Sequence, residues 1–437
     1  MGTKWPHMAR LPPDPDTRLA TLPNGVRVLT IALPHLASAS VSIFIHTGSR
    51  NETARLAGVS HFAEHMAFKG TATRSCQQIN LDAEVLGADV NAHTDKDHTA
   101  YHMRGLAEHA PAFVRMLGDI VCHGSFPEAE FERERQVILQ ELTETEDDAF
   151  DTAFQLFDKA CYGDHPQAQP VIGRRRSIEA LTHAQLADYV RRQYTGVNVV
   201  VAAAGQVEHE AIVREAERAF GGLPAGAPHQ VEAPQFHGGL GLKRMAGIGQ
   251  THLVLGFPAP PLTHAGNAAY TLAAALFGEG MSSPLMDELR ERRGLVYYAA
   301  CSADLDDLAG QFVVEASMAP GQAETYLAEV TRLLRIQAEG PDPQHVVRAR
   351  NQILVRRLHT RERPGRRLEQ AALDLFAFGR VRDAAERRAE IEAVGADQVR
   401  AVFEQLQAAP IALGAAGQIK EPVRARLRTL ADAGLRS

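Results

Sequence analysis

Little in this sequence points to chemistry carried by sulfur or by membranes. Only four cysteines occur among 437 residues, at Cys76, Cys122, Cys161 and Cys301, and no two form a CxxC pair. That dispersal excludes a disulfide scaffold and reads as reduced thiols in a cytoplasmic protein. No uninterrupted apolar run approaches the ~18 residues of a membrane span, so no integral membrane protein is expected. Met1 to Pro13 has neither the apolar core of a secretory signal nor an Arg/Ser-rich amphipathic stretch. Positive charge is also in short supply. Lys and Arg total 46 against 53 Asp and Glu, a net charge of −7. Nothing there favours nucleic acid as a partner, and a mildly acidic surface suits basic ligands such as cationic peptides.

What remains is an ordinary globular composition, 45% apolar and 23% charged, at a length that accommodates two domains of roughly 200 residues each. The abundance of Ala and Arg is compatible with a GC-rich bacterial source. Internal similarity accounts for the length. Ile178-Glu179-Ala180-Leu181 returns as Ile391-Glu392-Ala393-Val394, an offset of 213. Ala203-Ala204-Gly205-Gln206-Val207 returns as Ala415-Ala416-Gly417-Gln418-Ile419, an offset of 212, and Ile138-Leu139 as Ile353-Leu354, at 215. Three near-equal offsets in the same order argue for a duplicated domain. The boundary is expected within Gly221 to Gly241, where Pro224, Pro228 and Pro234 alternate with glycines. This divides the chain into residues 1–225, a linker at 226–240, and residues 241–437.

Within each copy the periodicity is mixed. Asn24-Gly25 signals a turn, and the alternation of Val26 and Val28, then Val41, Ile43 and Ile45, suggests two antiparallel strands. Helical spacing runs through His61–Phe68, Leu106–Cys122 and Pro127 to about Glu146, before a strand at Val199–Ala204. The second copy repeats the order with strands near Thr251–Phe257, Leu295–Ala303 and Gln311–Ala316 and a helix at Ala268–Phe277. The expectation is an α+β fold of two homologous α/β-roll domains, each an antiparallel sheet packed with helices.

His61-Phe62-Ala63-Glu64-His65 carries the clearest chemistry. Residues four apart share a helix face, so both imidazoles can meet one metal ion, and Glu64 lies beside them without being needed as a ligand. This is the HxxEH order, the reverse of HExxH. The same spacing also describes a polar helix face. A second candidate is Asp89-Val90-Asn91-Ala92-His93-Thr94-Asp95-Lys96-Asp97-His98-Thr99-Ala100-Tyr101-His102. Its three histidines and three aspartates can be read as another metal site, and its alternation equally as a hairpin with one wet face.

The run Gly58-Val59-Ser60-His61-Phe62-Ala63-Glu64-His65-Met66-Ala67-Phe68-Lys69-Gly70-Thr71 resembles the active-site segment of the pitrilysin/insulinase family of zinc peptidases. The branch it is most similar to holds mitochondrial processing peptidase and its bacterial relatives. Thr21–Val26 and Gly48-Ser49-Arg50-Asn51-Glu52 resemble the strands that precede it, and the similarity runs over essentially the whole chain. The resemblance implies one Zn²⁺ per chain, held by His61, His65 and a glutamate on a later helix, which the family's spacing places at Glu141. Glu134, two turns earlier, matches an acid behind the ligands. That helix also carries Glu130, Glu132, Glu144 and Glu146, and spacing alone does not choose among them. Glu64 is implied as the general base. Asn91, Ala92, His93 and Thr94 match the strand whose edge pairs with bound peptide.

The second copy has no HxxEH, and Arg356 falls opposite Glu141. It carries instead Arg290 and Tyr297, which match an arginine and tyrosine that bind substrate and stabilise the tetrahedral intermediate in the family. Read from residue type alone, they are equally a solvated helix end and a core aromatic. The resemblance therefore implies a zinc endopeptidase acting on unfolded peptides or on precursor leaders, in a homodimer whose active sites are shared. The competing expectations are a non-catalytic scaffold subunit and a catalytic subunit that depends on an unlike partner.

Overall fold

The computed structural model describes residues 17–436, so the reading of Met1 to Pro13 lies outside the described residues. Six strands form the first sheet: β1 (Thr17–Thr21), β2 (Arg27–Ala32), β3 (Ser38–Ile45), β4 (Asp89–Thr94), β5 (Thr99–Leu106) and β6 (Val199–Gly205). Five form the second: β7 (Gly239–Arg244), β8 (Thr251–Ala259), β9 (Tyr298–Leu305), β10 (Gly310–Met318) and β11 (Ala412–Gly417). Their spatial orders are β1-β2-β6-β3-β5-β4 and β7-β11-β8-β10-β9. Apart from β1 the two orders are the same, strand for strand. Each sheet contains one parallel pair, β2 with β6 and β7 with β11, and is otherwise antiparallel.

The alternation from Val26 to Ile45 does give two strands, β2 and β3, but β6 lies between them. Alternation reports which face of a strand is buried and carries no information about its neighbour. The helical reading from Leu106 starts too early, because Leu106 ends β5 and the α-helix spans Ala110–Cys122. In the second copy β9 starts at Tyr298, leaving Leu295 to Tyr297 in the approach to the strand. Residues 223–238, within the Pro/Gly-rich stretch, form neither helix nor strand.

The first sheet is buried on both faces. Val28, Val41, Ile43, Tyr101 and Val201 point to one side and pack on Phe62, Phe113, Leu117 and Phe220 from helices of the same half. Leu29, Ile31, Phe44, Val200 and Ala202 point to the other. The helix that covers this back face comes from the other half. Leu368, Ala371, Ala372 and Leu375 of Pro364–Phe378 supply it. The arrangement is reciprocal, since Ala149, Ala153 and Phe157 of helix Ala149–Tyr162 pack on Val254, Val313, Ala412 and Ala416 of the second sheet. Ala149 and Pro364 are 215 apart, the offset of the Ile138/Ile353 echo. Each copy thus lends its equivalent helix to the other.

This exchange needs close approach. A Cβ on Gly414 would stand 2.0 Å from the carbonyl oxygen of Ala153 and 2.7 Å from the Phe157 nitrogen. Both are backbone atoms and neither can swing aside. Gly414→Ala is therefore expected to destabilise the protein by about 1–3 kcal/mol, the usual cost of overpacking. Gly222→Ala, with nothing within 4 Å of the new methyl, is the control and should stay within about 0.5 kcal/mol of wild type. Thermal or urea unfolding measures both, and equal stability of the two variants would refute the close-packing account.

Candidate active site

The two-histidine helix, Val59–Ala67, exists because Val59, Phe62, Ala63 and Met66 bury themselves in the core at three- and four-residue spacing. That leaves His61, Glu64 and His65 on the rim. The helix begins after Gly58, whose φ of +94° favours glycine. Its amino end is held by a carboxyl from outside the helix. Glu52 accepts hydrogen bonds from the Gly58 and Ser60 N–H groups at 2.6 and 2.8 Å. This satisfies donors that a helix start leaves open. The Ser60 hydroxyl meets the Tyr189 hydroxyl at 2.7 Å.

The second element is the helix Glu128–Asp147. Phe131, Glu134, Ile138 and Leu142 form its buried face. Phe131 stacks on Phe62 with ring centroids 4.6 Å apart, which sets the two helices side by side. Glu134 is only 6% exposed and accepts from Lys69 Nζ at 2.6 Å and His65 Nδ1 at 3.1 Å. In the neutral tautomer that donates Nδ1–H to Glu134, the His65 Nε2 carries a lone pair. It faces Glu141 Oε2 at 3.6 Å, while His61 Nε2 stands 3.8 Å from the same oxygen. One donor atom from each of His61, His65 and Glu141 lies within 4.8 Å of the other two.

This geometry is a test of fit for zinc. Two lone pairs facing each other at 3.6 Å are too far apart for a hydrogen bond and repel unless a cation lies between them. Tetrahedral ligands at 2.0–2.1 Å from Zn²⁺ are about 3.4 Å apart, close to what is seen. Burial, with a smaller contribution from the neighbouring His65 ring, pushes the His61 pKa down to about 4, so this imidazole is neutral at pH 7. Two imidazoles and a carboxylate suit Zn²⁺.

Glu64 is not part of the cluster. Thr94 Oγ1, at the end of the edge strand β4, donates to its Oε2 at 2.5 Å. Burial raises the Glu64 pKa above the usual carboxylate value, against the pull of the Thr94 hydrogen bond. A carboxylate shifted this way accepts a proton more readily near neutral pH.

The other expected residues separate into two groups. Asn91, Ala92, His93 and Thr94 all lie on β4, the outer strand of the first sheet, but on opposite faces. Ala92 and Thr94 pair with Tyr101 and Thr99 on the face of the two-histidine helix, whereas Asn91 and His93 pair with His102 and Ala100 on the other. Arg290 and Tyr297 are not brought to the cluster. Both are exposed, Tyr297 at 60%, and among the described residues neither side chain makes a hydrogen bond or ion pair with His61, Glu64, His65 or Glu141. In the second copy the equivalent helix, Asn267–Gly278, is filled with alanine and leucine, and Arg356 pairs with Glu279 at 2.7 Å. Among the described residues no donor set remains there.

Sequence reasoning missed three contributions: Glu52 as the cap of the helix, Lys69 as the partner of Glu134, and the Thr94 hydroxyl as the anchor of Glu64. None has a local signature, since Glu52 precedes the helix by more than the spacing of ordinary caps and the other two contacts form only on folding. Glu52 has a measurable consequence. Burial pushes its carboxyl up to about 8, the Ser60 and Gly58 N–H groups pulling the other way, whereas an unfolded glutamate titrates near ~4.3. The folded chain then holds a proton that the unfolded chain releases, so this stabilisation is complete at low pH and is lost as pH rises towards 8. The melting temperature of wild type relative to Glu52→Gln should fall between pH 5 and pH 8. A difference that stays flat across this range would show that Glu52 holds no such proton.

The chain is similar to known proteins over most of its length. Residues 27–175 match the family model described as insulinase, peptidase family M16, and residues 180–353 match the one described as peptidase M16 inactive domain. An uncharacterized zinc protease of Rickettsia felis is 31% identical over 83% of this chain and 88% of its own length. Among solved structures, a protease from Helicobacter pylori superposes with a TM-score of 0.85 at 20% identity, covering 92% of this chain and 100% of that one. A chain of complex III2 from Candida albicans superposes at 0.83 with 16% identity, covering 94% and 99%. At these identities the structural likenesses speak for the fold alone. The two family models and the relative together show that this chain belongs to the insulinase family of peptidases, family M16.

Proposed function

We propose that the chain is a zinc-dependent endopeptidase that hydrolyses unfolded peptides or precursor leader segments. The observation that carries this reading is the convergence of His61, His65 and Glu141 beside a buried carboxylate, Glu64, that is not one of the donors. Zinc bound there would polarise the scissile carbonyl and ease deprotonation of the attacking water. Glu64 takes the proton of that water and returns it to the leaving amine. Glu134, fixed by Lys69, holds His65 in the tautomer that presents Nε2. Thr94 orients Glu64, and β4, the outer strand of its sheet, gives an extended peptide an edge to pair with.

Arg290 and Tyr297 are exposed on the second half, available to a neighbouring subunit rather than to their own zinc site. We therefore read the working form as a homodimer in which each site receives this pair from its partner. The four cysteines are all free, which supports placement in the cytoplasm. The rival reading is a scaffold role without catalysis, since a chain of complex III2 shares the fold. Scaffolding has no use for an intact donor set, a separate base and an acid behind the ligands.

Two measurements test the mechanism. Glu64→Gln should keep zinc and peptide binding while losing about 10²–10⁴-fold in cleavage of a quenched fluorescent peptide; near-normal turnover sinks the general-base role. Glu64→Gln subunits should also be mixed with subunits carrying Arg290→Ala and Tyr297→Phe, each nearly inactive alone. A mixed two-fold dimer has one site with both defects and one with neither, so cleavage should recover towards about half of the wild-type value. Subunit exchange demonstrated by native mass measurement, with no recovery, overturns the shared site and leaves the zinc assignment standing.

A further inference from the structure

The β4–β5 hairpin carries a second constellation on the face away from the two-histidine helix. His93 extends from β4 towards the helix Pro364–Phe378, which the second half lends to this sheet, and faces Glu369 with Nε2 3.9 Å from Oε1. The other Glu369 oxygen accepts from Arg366 Nη1 at 2.9 Å. His98 sits in the turn of the hairpin, 2% exposed, with its ring centroid 5.4 Å from that of His93. Its Nδ1 is engaged by Asp97 Oδ1 at 2.6 Å, which leaves Nε2 as its remaining polar atom.

Three observations set this cluster apart from ordinary surface polarity. One donor atom from each of His93, His98 and Glu369 lies within 4.8 Å of the other two. The Nε2 atoms of His93 and His98 are both shut off from solvent, and neither has a hydrogen-bond partner. Native proteins rarely leave such atoms unpaired without a use for them. The separation of 3.9 Å between His93 and Glu369 is too long for a hydrogen bond to answer the need. The Asp97–His98 contact is also the arrangement that orients a metal-binding imidazole, in which a carboxylate takes one ring nitrogen and turns the other towards the ion.

We propose that His93, His98 and Glu369 form a second cation site, distinct from the His61, His65 and Glu141 cluster, for a divalent transition ion of the Zn²⁺ type. Two imidazoles and one carboxylate select this class over Mg²⁺ or Ca²⁺, which prefer all-oxygen shells. The role follows from where the donors originate. His93 and His98 belong to the first half and Glu369 to the second, so the ion staples the lent helix to the hairpin. Because His93 and Thr94 are adjacent on β4 and point to opposite faces, the staple also steadies the strand whose Thr94 holds Glu64. The chain would then bind two ions, one more than the resemblance implies. This inference stands whether or not the chain proves to be a peptidase.

The test uses the full-length chain, stripped with a chelator, re-equilibrated with Zn²⁺ and assayed by mass spectrometry for bound metal. Wild type should hold two equivalents per chain, and His61→Ala with His65→Ala should hold one. Adding Glu369→Gln or His93→Gln to that double variant should weaken the remaining equivalent at least tenfold, and each should abolish the rise in melting temperature that Zn²⁺ gives the double variant. Circular dichroism of the metal-free proteins checks folding, and either of the two added substitutions suffices if the other misfolds. A single equivalent in wild type with none in the double variant overturns the proposal. So does a second equivalent that Glu369→Gln and His93→Gln leave untouched, which would place the ion elsewhere, as on Asp95 and Asp97.

Discussion

Everything at the zinc-type cluster depends on how two helices are set against each other, and that is decided by two rings. Phe62 and Phe131 are completely buried and stacked. Each sits close to chemistry on its own helix, Phe62 next to His61 and Phe131 three residues before Glu134. Fixing the rings fixes the angular position of both helices, so that His61 and His65 look across at Glu141 while Glu134 slides behind His65. The donors make no hydrogen bond to one another, standing 3.6 and 3.8 Å from the shared Glu141 oxygen. Their convergence is imposed by apolar packing.

This explains why the site was only partly legible. His61, Glu64 and His65 could be read because their relation is a property of one helix, independent of anything else in the fold. Glu141 could not be picked from its neighbours by spacing, since six other glutamates share the helix and the choice depends on which face Phe131 and Ile138 bury. The family resemblance supplied the register, and in the fold Glu141 lies beside His61 and His65. Glu52, Lys69 and Thr94 were unreadable for the same reason in stronger form, as each acts across a gap in sequence on a residue it meets only in the folded chain.

The duplication was legible because the two copies kept their strand-forming residues. Ala203–Gly205 and Ala415–Gly417 occupy equivalent central strands, β6 and β11, and the shared order of the sheets follows. The exchange of helices was not legible, since an apolar stripe on Ala149–Tyr162 or Pro364–Phe378 says that the helix packs on something and not on which sheet. The copies diverged where chemistry requires polar groups. Alanine and leucine fill the second copy's counterpart of the two-histidine helix, and the same backbone became a buried support.

The lent helices also bear on how the chain is made. A first half emerging from the ribosome has its own front-face helices to cover one side of its sheet, but Leu29, Ile31, Phe44 and Val200 stay bare on the other. Their cover starts at Pro364, 159 residues after the sheet is completed at Gly205. At typical synthesis rates of about 5–20 residues per second, that interval is roughly 8–30 s. For that time the nascent chain presents an open apolar sheet to the cell, in a form that chaperones hold and that neighbouring nascent chains can bind.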